Sequence, residues 1–533
     1  MLRPPPWMLL LAMLGATACD ADAPTSDAGA DASADDAGPP PAAPTADTAL
    51  GPLEGLRGPG YQAFLGVPYA KPPVGALRWA PPEPPEAWTE PRSATGRPPR
   101  CVQRALGLDL ASQEDCLYLN VHTPDPRPED APVMVWLHGG AFLFGEGLQT
   151  DEGTAGDLLA ATHGVVVVSL NYRLGPYGFL AHPALTAERG ASGNYGLMDQ
   201  RLALEWVRDN IAAFGGDPDD VTIFGESAGG LSVCAHLISP ESEGLFHRAI
   251  SQSGLCDSAL DGLSDAEAAG ERFADALSCA DAECLRAASV DEITTADGAG
   301  SDPFGEVGAE RAWWPIVDGA VLEGDFRTEI ERGAFANVPT IVGWNADEGT
   351  LFVMLAEQAG QVADEAAYDE VVRAIAARAG VAADDVFAQY PLGDYPDPGA
   401  ASAAVIGHAT LACPSRRAAL LLEAAGVETR AYHFTYPDAG FQLPTERELG
   451  AFHSAEIQYV FGHPSTIGRR SFTGDDRALY EAMSLRWTDF ARGAPSPDWP
   501  RFGADETHLR LDREIATGSA ADAEMCALWD GGR

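Results

Sequence analysis

The residues best equipped for chemistry lie in Val221-Thr-Ile-Phe-Gly-Glu-Ser-Ala-Gly-Gly230. An apolar strand pattern runs into Gly-x-Ser-x-Gly and then into an Ala/Leu/Val-rich helical pattern. This is the setting of a sharp strand-to-helix turn that lifts a serine hydroxyl above the edge of a sheet. Gly225 and Gly229 lack the side chains that would crowd strand against helix at such a turn. Ser227 is therefore the candidate nucleophile. In a chain with 57 glycines the bare pentapeptide is weak evidence, so the flanking patterns decide against an ordinary turn serine.

A serine hydroxyl is a poor nucleophile near neutral pH and needs a histidine base, a carboxylate to orient that base, and N–H donors for the oxyanion. A second strand pattern, Val133-Met-Val-Trp-Leu137, ends in His138-Gly-Gly-Ala-Phe142, which offers the donors. The amides of Gly140 and Ala141, joined by that of Ala228, form the expected oxyanion hole; a plain glycine turn is the alternative.

Further segments join these two: Phe64-Leu-Gly-Val-Pro-Tyr-Ala70, Glu114-Asp-Cys-Leu-Tyr-Leu-Asn120, Asn171-Tyr-Arg-Leu-Gly175, Gly193-Asn-Tyr-Gly-Leu-Met-Asp-Gln200, Ser251-Gln-Ser-Gly254, Gly343-Trp-Asn-Ala-Asp-Glu-Gly349 and Gly450-Ala-Phe-His453. From about residue 50 to about residue 530 the chain resembles the type-B carboxylesterase/lipase family of the α/β-hydrolases, which includes cholinesterases and para-nitrobenzyl esterases. The resemblance implies an α/β-hydrolase fold, a large mostly parallel central sheet flanked by helices. It also implies Glu348 as the acid and His453 as the base, with Asp347 the carboxylate rival on sequence alone. The order Ser, Glu, His is that of α/β-hydrolases. Glu226 also matches the family and is expected to tune charge at the site; an exposed elbow residue is the plainer reading.

The reaction so implied is hydrolysis of a carboxylic ester through an acyl-enzyme, with no metal or organic cofactor. No zinc-type Cys/His spacing or phosphate-cradling glycine loop stands in the sequence. Cholinesterases place a Trp in the loop closed by their first disulfide, where it stacks on a quaternary ammonium. The corresponding segment here, Cys101 to Cys116, has no aromatic residue, so neutral, non-choline esters are the expected substrates. Trp313 and Trp314 are candidates for the substrate pocket or, equally, for core. Two other readings stay open: a non-catalytic binding protein on the same fold, and an amidase or polymer-ester hydrolase using the same groups.

Nine cysteines are present, and setting Cys19 aside leaves eight. The resemblance pairs Cys101 with Cys116, Cys279 with Cys284 and Cys413 with Cys526. Cys234 and Cys256 remain, either bridged, as expected here, or as two buried thiols. A disulfide set of this size belongs to an oxidising compartment. The N-terminus agrees: Met1-Leu-Arg precedes an apolar run from Trp7 to Leu14, too short to span a bilayer. Residues 1–18 are expected to be a signal peptide. Ala16-Thr-Ala18 suits an ordinary signal peptidase, whereas Leu14-Gly-Ala-Thr-Ala-Cys19 resembles a bacterial lipobox with Cys19 lipidated, the expectation carried forward. Residues 19–49, rich in Asp, Ala, Pro, Ser and Thr, read as a disordered tether ahead of one large domain, residues 50–533.

The elements that must position the site follow from apolar runs bounded by turn residues. Val133 to Leu137, Val165 to Leu170, Val221 to Phe224, Ala249 to Ser251, Thr340 to Gly343 and Tyr432 to Phe434 read as strands alternating with helices. Helices are expected near Gly196 to Ala213, with Trp206 in the core, and near Ala478 to Ala491. Against 79 Asp and Glu stand 34 Lys and Arg, a net charge of −45, which excludes nucleic acid as a partner. The expected partner is a small ester, with membrane contact only through the N-terminal lipid.

Overall fold

The computed structural model describes residues 42–105, 108–109, 111–148, 153–297, 313–440, 445, 447–464 and 472–531. The expected signal peptide, the lipidation site Cys19 and most of the expected tether lie outside the described residues.

Two short sheets, β1 (Thr45–Thr48), β2 (Gly51–Glu54) and β5 (Arg92–Ser93), and β6 (Arg104–Ala105) with β7 (Leu108–Asp109), accompany an eleven-stranded one. Its spatial order is β3 (Leu56–Gly58), β4 (Tyr61–Pro68), β8 (Tyr118–Pro124), β10 (Val166–Leu170), β9 (Ala131–Leu137), β11 (Gly216–Glu226), β12 (Arg248–Gln252), β13 (Thr340–Asn345), β14 (Thr429–Phe434), β15 (Thr507–Leu511) and β16 (Ala516–Ser519). Every pairing from β10 through β15 is parallel, and the pairings outside that run are antiparallel. A parallel sheet must be covered on both faces, and its strands show why. On β9, Val133, Val135 and Leu137 enter one buried cluster, while Met134 and Trp136 enter the cluster on the opposite face. Successive side chains point to opposite faces, so a strand buried on both sides reads as an unbroken apolar run.

The expected strands are all present, and most extend a residue or more beyond the apolar run. The expected helices run Tyr195–Asn210 and Gly474–Ala491, and Trp206 is buried. One boundary is corrected. The folded domain includes residues before position 50: the Gly55 N–H donates to Pro44 O at 2.8 Å, and β1 pairs antiparallel with β2 and buries Ala46, so the end of the supposed tether is a sheet strand.

A third buried cluster lies apart from the sheet. Helices Thr350–Gln358, Glu365–Ala379 and Pro398–Gly407 pack around Tyr368, Val372, Ile406 and Tyr390, and the C-terminal helix Ala523–Asp530 adds Trp529. A π-helical turn, His408–Ala412, leads from this layer into the helix Cys413–Ala424. The disulfide Cys413–Cys526 lies in the same cluster and ties that helix to the C-terminal one. The other three expected disulfides, Cys101–Cys116, Cys234–Cys256 and Cys279–Cys284, are also formed. Among the described residues, no helix is long and apolar enough to cross a membrane.

Candidate active site

In a parallel α/β sheet, ligands bind beyond the carboxyl ends of the strands. Here β9 runs into His138–Phe142, β11 into Ser227 and β13 into Glu348, while His453 lies on the chain that follows β14. Ser227 takes φ 57° and ψ −122°, a conformation that costs a non-glycine residue about 1–3 kcal/mol and is held only by its surroundings. Its amide donates to Gln252 O at 2.9 Å, and Ala228 opens the helix Ala228–Ile238 directly behind it. A side chain at Gly225 would overlap Gly229, and one at Gly229 would overlap the Leu137 carbonyl, so strand and helix close only because both residues are glycine.

The loop after β9 is equally constrained. Gly140, Ala141 and Phe142 all have positive φ, at 104°, 54° and 59°. The amides of Leu143 and Phe144 turn back onto Gly140 O at 2.9 and 3.1 Å. A Cβ on Gly139 would crowd the Ser227 Cβ and the Glu226 carboxylate, which places the start of this loop against the elbow. The N-terminus of a helix favours negative charge, and that end of Ala228–Ile238 adjoins the same space.

His453 is buried between two carboxylates. Its Nδ1 lies 2.6 Å from Glu348 Oε2 and its Nε2 lies 3.1 Å from Glu226 Oε1. Burial alone would lower its pKa, but Glu226 and Glu348 outweigh this and push it up to about 9. Glu348 is fixed by the Ser253 hydroxyl at 2.5 Å and the Asn345 amide at 2.8 Å, both donating to Oε1. Asp347 faces elsewhere: its Oδ2 accepts the Ala451 N–H at 2.9 Å and so ties the Glu348 loop to the His453 loop. Glu348, not its neighbour, is the carboxylate that meets the histidine.

A buried polar set that sequence reasoning did not single out lies beneath these groups. Glu456 accepts from Gln252 Nε2 at 3.0 Å and from Asn345 Nδ2 at 2.7 Å, and Trp487 Nε1 donates to Gln252 Oε1 at 3.0 Å. Burial raises the pKa of Glu456. The amides Gln252 and Asn345 ending β12 and β13 were the available signal, since such groups are buried only when paired, whereas nothing in the sequence marks Glu456, which precedes the short helix Ile457–Phe461.

Ser227 and Ala141 open onto a cavity of about 330 Å³ whose walls include Leu143, Trp314, Phe352, Ile406 and Trp529. The Phe352 ring lies 5.2 Å from that of His453. Of the two tryptophans weighed for this pocket, only Trp314 reaches it. Trp313 is corrected to core: it packs edge-on to Phe273 and donates its indole N–H to Asp297 at 2.5 Å, partners that draw it under the surface. Glu226 is buried rather than exposed and lies against His453 and Gly139, where its carboxylate acts on the charge of the histidine.

A mostly parallel doubly covered sheet, a strained serine elbow and a site at the strand ends define the α/β-hydrolase class. A solved PNB esterase structure superimposes with a TM-score of 0.77 at 31% identity, covering 91% of this chain and 99% of that one. Human cocaine esterase is 35% identical over 520 residues (90% of this chain, 89% of that protein), and the fumonisin B1 esterase of Sphingopyxis macrogoltabida is 37% identical over 508 residues (88% and 87%). The carboxylesterase family model matches residues 42–529, so the chain belongs to the carboxylesterase family and is an enzyme that hydrolyses carboxylic esters.

Proposed function

We propose that this carboxylesterase works through a Ser227–His453–Glu348 triad and an acyl-enzyme, on neutral esters other than choline esters. The observation that carries the reading is the seating of His453, whose Nδ1 is held at 2.6 Å by Glu348 while its Nε2 lies 3.1 Å from Oε1 of Glu226, the residue before Ser227. In this mechanism neutral His453 takes the Ser227 proton as Oγ attacks the ester carbonyl. The amides of Gly140, Ala141 and Ala228 receive the oxyanion, and Glu348 stabilises the imidazolium. Collapse of the tetrahedral intermediate breaks the C–O bond, and His453 returns the proton to the leaving alcohol. Water then attacks the acyl-serine with His453 again as base, releasing the acid and restoring Ser227.

The cavity is lined mainly by apolar residues, with Asp261, Arg378 and an Arg417 paired to Asp257 also on its wall, and the apolar part supports uncharged esters of modest size. Hydrolysis of p-nitrophenyl acetate, butyrate and octanoate by wild type and Ser227→Ala tests the reading. Turnover that survives the substitution removes Ser227 from the mechanism. The proposal extends to location: the four disulfides fit an exported enzyme, and we place it at the bacterial cell envelope with a lipid on Cys19. Labelled palmitate incorporated by the wild type and lost in Cys19→Ser is the expected result, and a protein released unlabelled would show ordinary secretion.

A further inference from the structure

The loop that carries Gly140 and Ala141 closes on itself through the Leu143 and Phe144 amides, and groups outside it fix where that turn sits. It leaves β9 at His138, turns through three consecutive positive φ values, and folds back so that Gly145 packs on its beginning. A Cβ on Gly145 would overlap the His138 ring and the Gly139 carbonyl, and its φ of 123° suits glycine alone. Wherever Gly145 is placed, the start of the loop is placed too.

One side chain from elsewhere in the chain holds Gly145. The Gln103 amide donates from Nε2 to Gly145 O at 2.9 Å and accepts the Gly145 N–H on Oε1 at 2.9 Å, the pairing that a neighbouring strand would otherwise supply. Its second N–H goes to Cys101 O at 3.0 Å, so the amide is anchored beside the disulfide Cys101–Cys116. Gln103 is 7% exposed and no part of the cavity holding Ser227. Further contacts share the frame: the Gly175 N–H donates to Phe142 O at 2.7 Å, and Glu146, next to Gly145, pairs with Arg100 at 2.7 Å and Arg97 at 3.1 Å. Tyr172 donates to His138 O at 2.7 Å and stacks on the His138 ring at 4.3 Å, and Asn171 Oδ1 accepts the Gly147 N–H at 2.8 Å.

We propose that Gln103 is a positioning residue for the oxyanion hole and that the Cys101–Cys116 loop serves catalysis by delivering it. The inference rests on the oxyanion-hole reading above. A donor aimed at the developing oxyanion is worth about 100- to 1,000-fold in rate. A misplacement near 1 Å costs about 100-fold, so a loop that loses its clamp loses part of the value of its donors while substrate still binds. The disulfide loop, which in this chain has no aromatic with which to grip a substrate, instead fixes the backbone that meets the transition state.

The test is Gln103→Leu, which keeps the side-chain volume and removes all three hydrogen bonds. The expected result is a fall in kcat of about 10- to 100-fold with KM within about threefold, and a matching loss of affinity for a trifluoromethyl ketone, whose adduct with the nucleophile calls on the same amides. Gln113→Ala, on the exposed part of the same disulfide loop, is expected to match the wild type. Active sites are counted by organophosphate titration and folding by the thermal transition. A folded Q103L with unchanged kcat and unchanged ketone affinity overturns the proposal, whereas wild-type turnover that survives Ser227→Ala overturns the triad reading beneath it. Should Q103L not fold, hydrogen exchange at the Gly145 amide in the wild-type protein decides: slow exchange supports the clamp and free exchange overturns it.

Discussion

Two regions meet at the cavity and are built on different principles. On one side is a shelf of backbone, the ends of β9 and β11 with their positive-φ residues Gly140, Ala141, Phe142 and Ser227. On the other is a cover of helices with its own buried cluster, which presents the side chains of Phe352, Ile406 and Trp529. The shelf is specified by conformations that few residues adopt and by glycines whose replacement brings atoms into overlap. The cover is specified by packing, where one apolar side chain can replace another at modest cost. Reactivity and substrate choice are therefore separable here: the first is written in main-chain geometry, the second in side-chain volume.

The sharpest attempt to break this division is Ser227→Ala, for which kcat is expected to fall by at least about 10,000-fold with the thermal midpoint little changed. Glu348→Gln follows, with an expected loss of about 1,000- to 10,000-fold, while Asp347→Asn, which alters only a loop contact, should lose far less. Equal losses would place both carboxylates in the same role.

The pH profile comes next. His453 must be neutral to accept a proton, and its two carboxylate neighbours hold it at about 9, so kcat/KM is expected to climb from pH 7 toward pH 9. In Glu226→Gln the ascending limb should move to lower pH, and a limb that does not move would remove Glu226 from the titration. Stability follows the opposite course. A histidine whose folded pKa exceeds its unfolded value near 6.5 contributes fully below about pH 6.5, and that contribution is lost as pH rises through about 9.

The smallest expected effect lies on the cover. Ile406→Ala and Trp529→Phe should shift the ratio of octanoate to acetate kcat/KM by roughly tenfold and leave acetate kcat within about threefold. If acetate turnover fell as far as octanoate turnover, the cover would be part of the catalytic frame and the division would fail.

The two regions also differ in how much the sequence discloses. The shelf was legible because its strands are buried on both faces and read as continuous apolar runs, and because glycines mark its turns. The antiparallel strands β4 and β8 were not read as strands: Tyr61–Pro68 contains a glycine and a proline, and Tyr118–Pro124 is interrupted by Asn120 and His122; only in the folded sheet does Gly66, at a bulge, donate its N–H to Asn120 Oδ1 and His122 pair with Ala63. The cover was hidden for another reason. Helices such as Pro398–Gly407 are largely Ala and Gly with little polar face, so their composition gives no direction in which to fold. At the site, Glu348 and His453 were assigned by resemblance, since nothing in a chain with 11 histidines and 79 acidic residues pairs those two by spacing. Trp313 and Trp314 are adjacent and chemically identical, and only the course of the backbone sends one to Phe273 and the other to the cavity.

The register of the parallel sheet carries a consequence for the life of the molecule. The Glu348–His453 contact spans 105 residues, and Trp487 supports the bed of the nucleophile by reaching Gln252 across 235. Contacts so distant in sequence form late, because each closes a long loop before it is rewarded. An emerging or partly translocated chain therefore has the serine long before it has the base. On the proposed roles, hydrolysis needs the chain folded at least as far as Trp487, and turnover per molecule reports the chains that have closed these contacts.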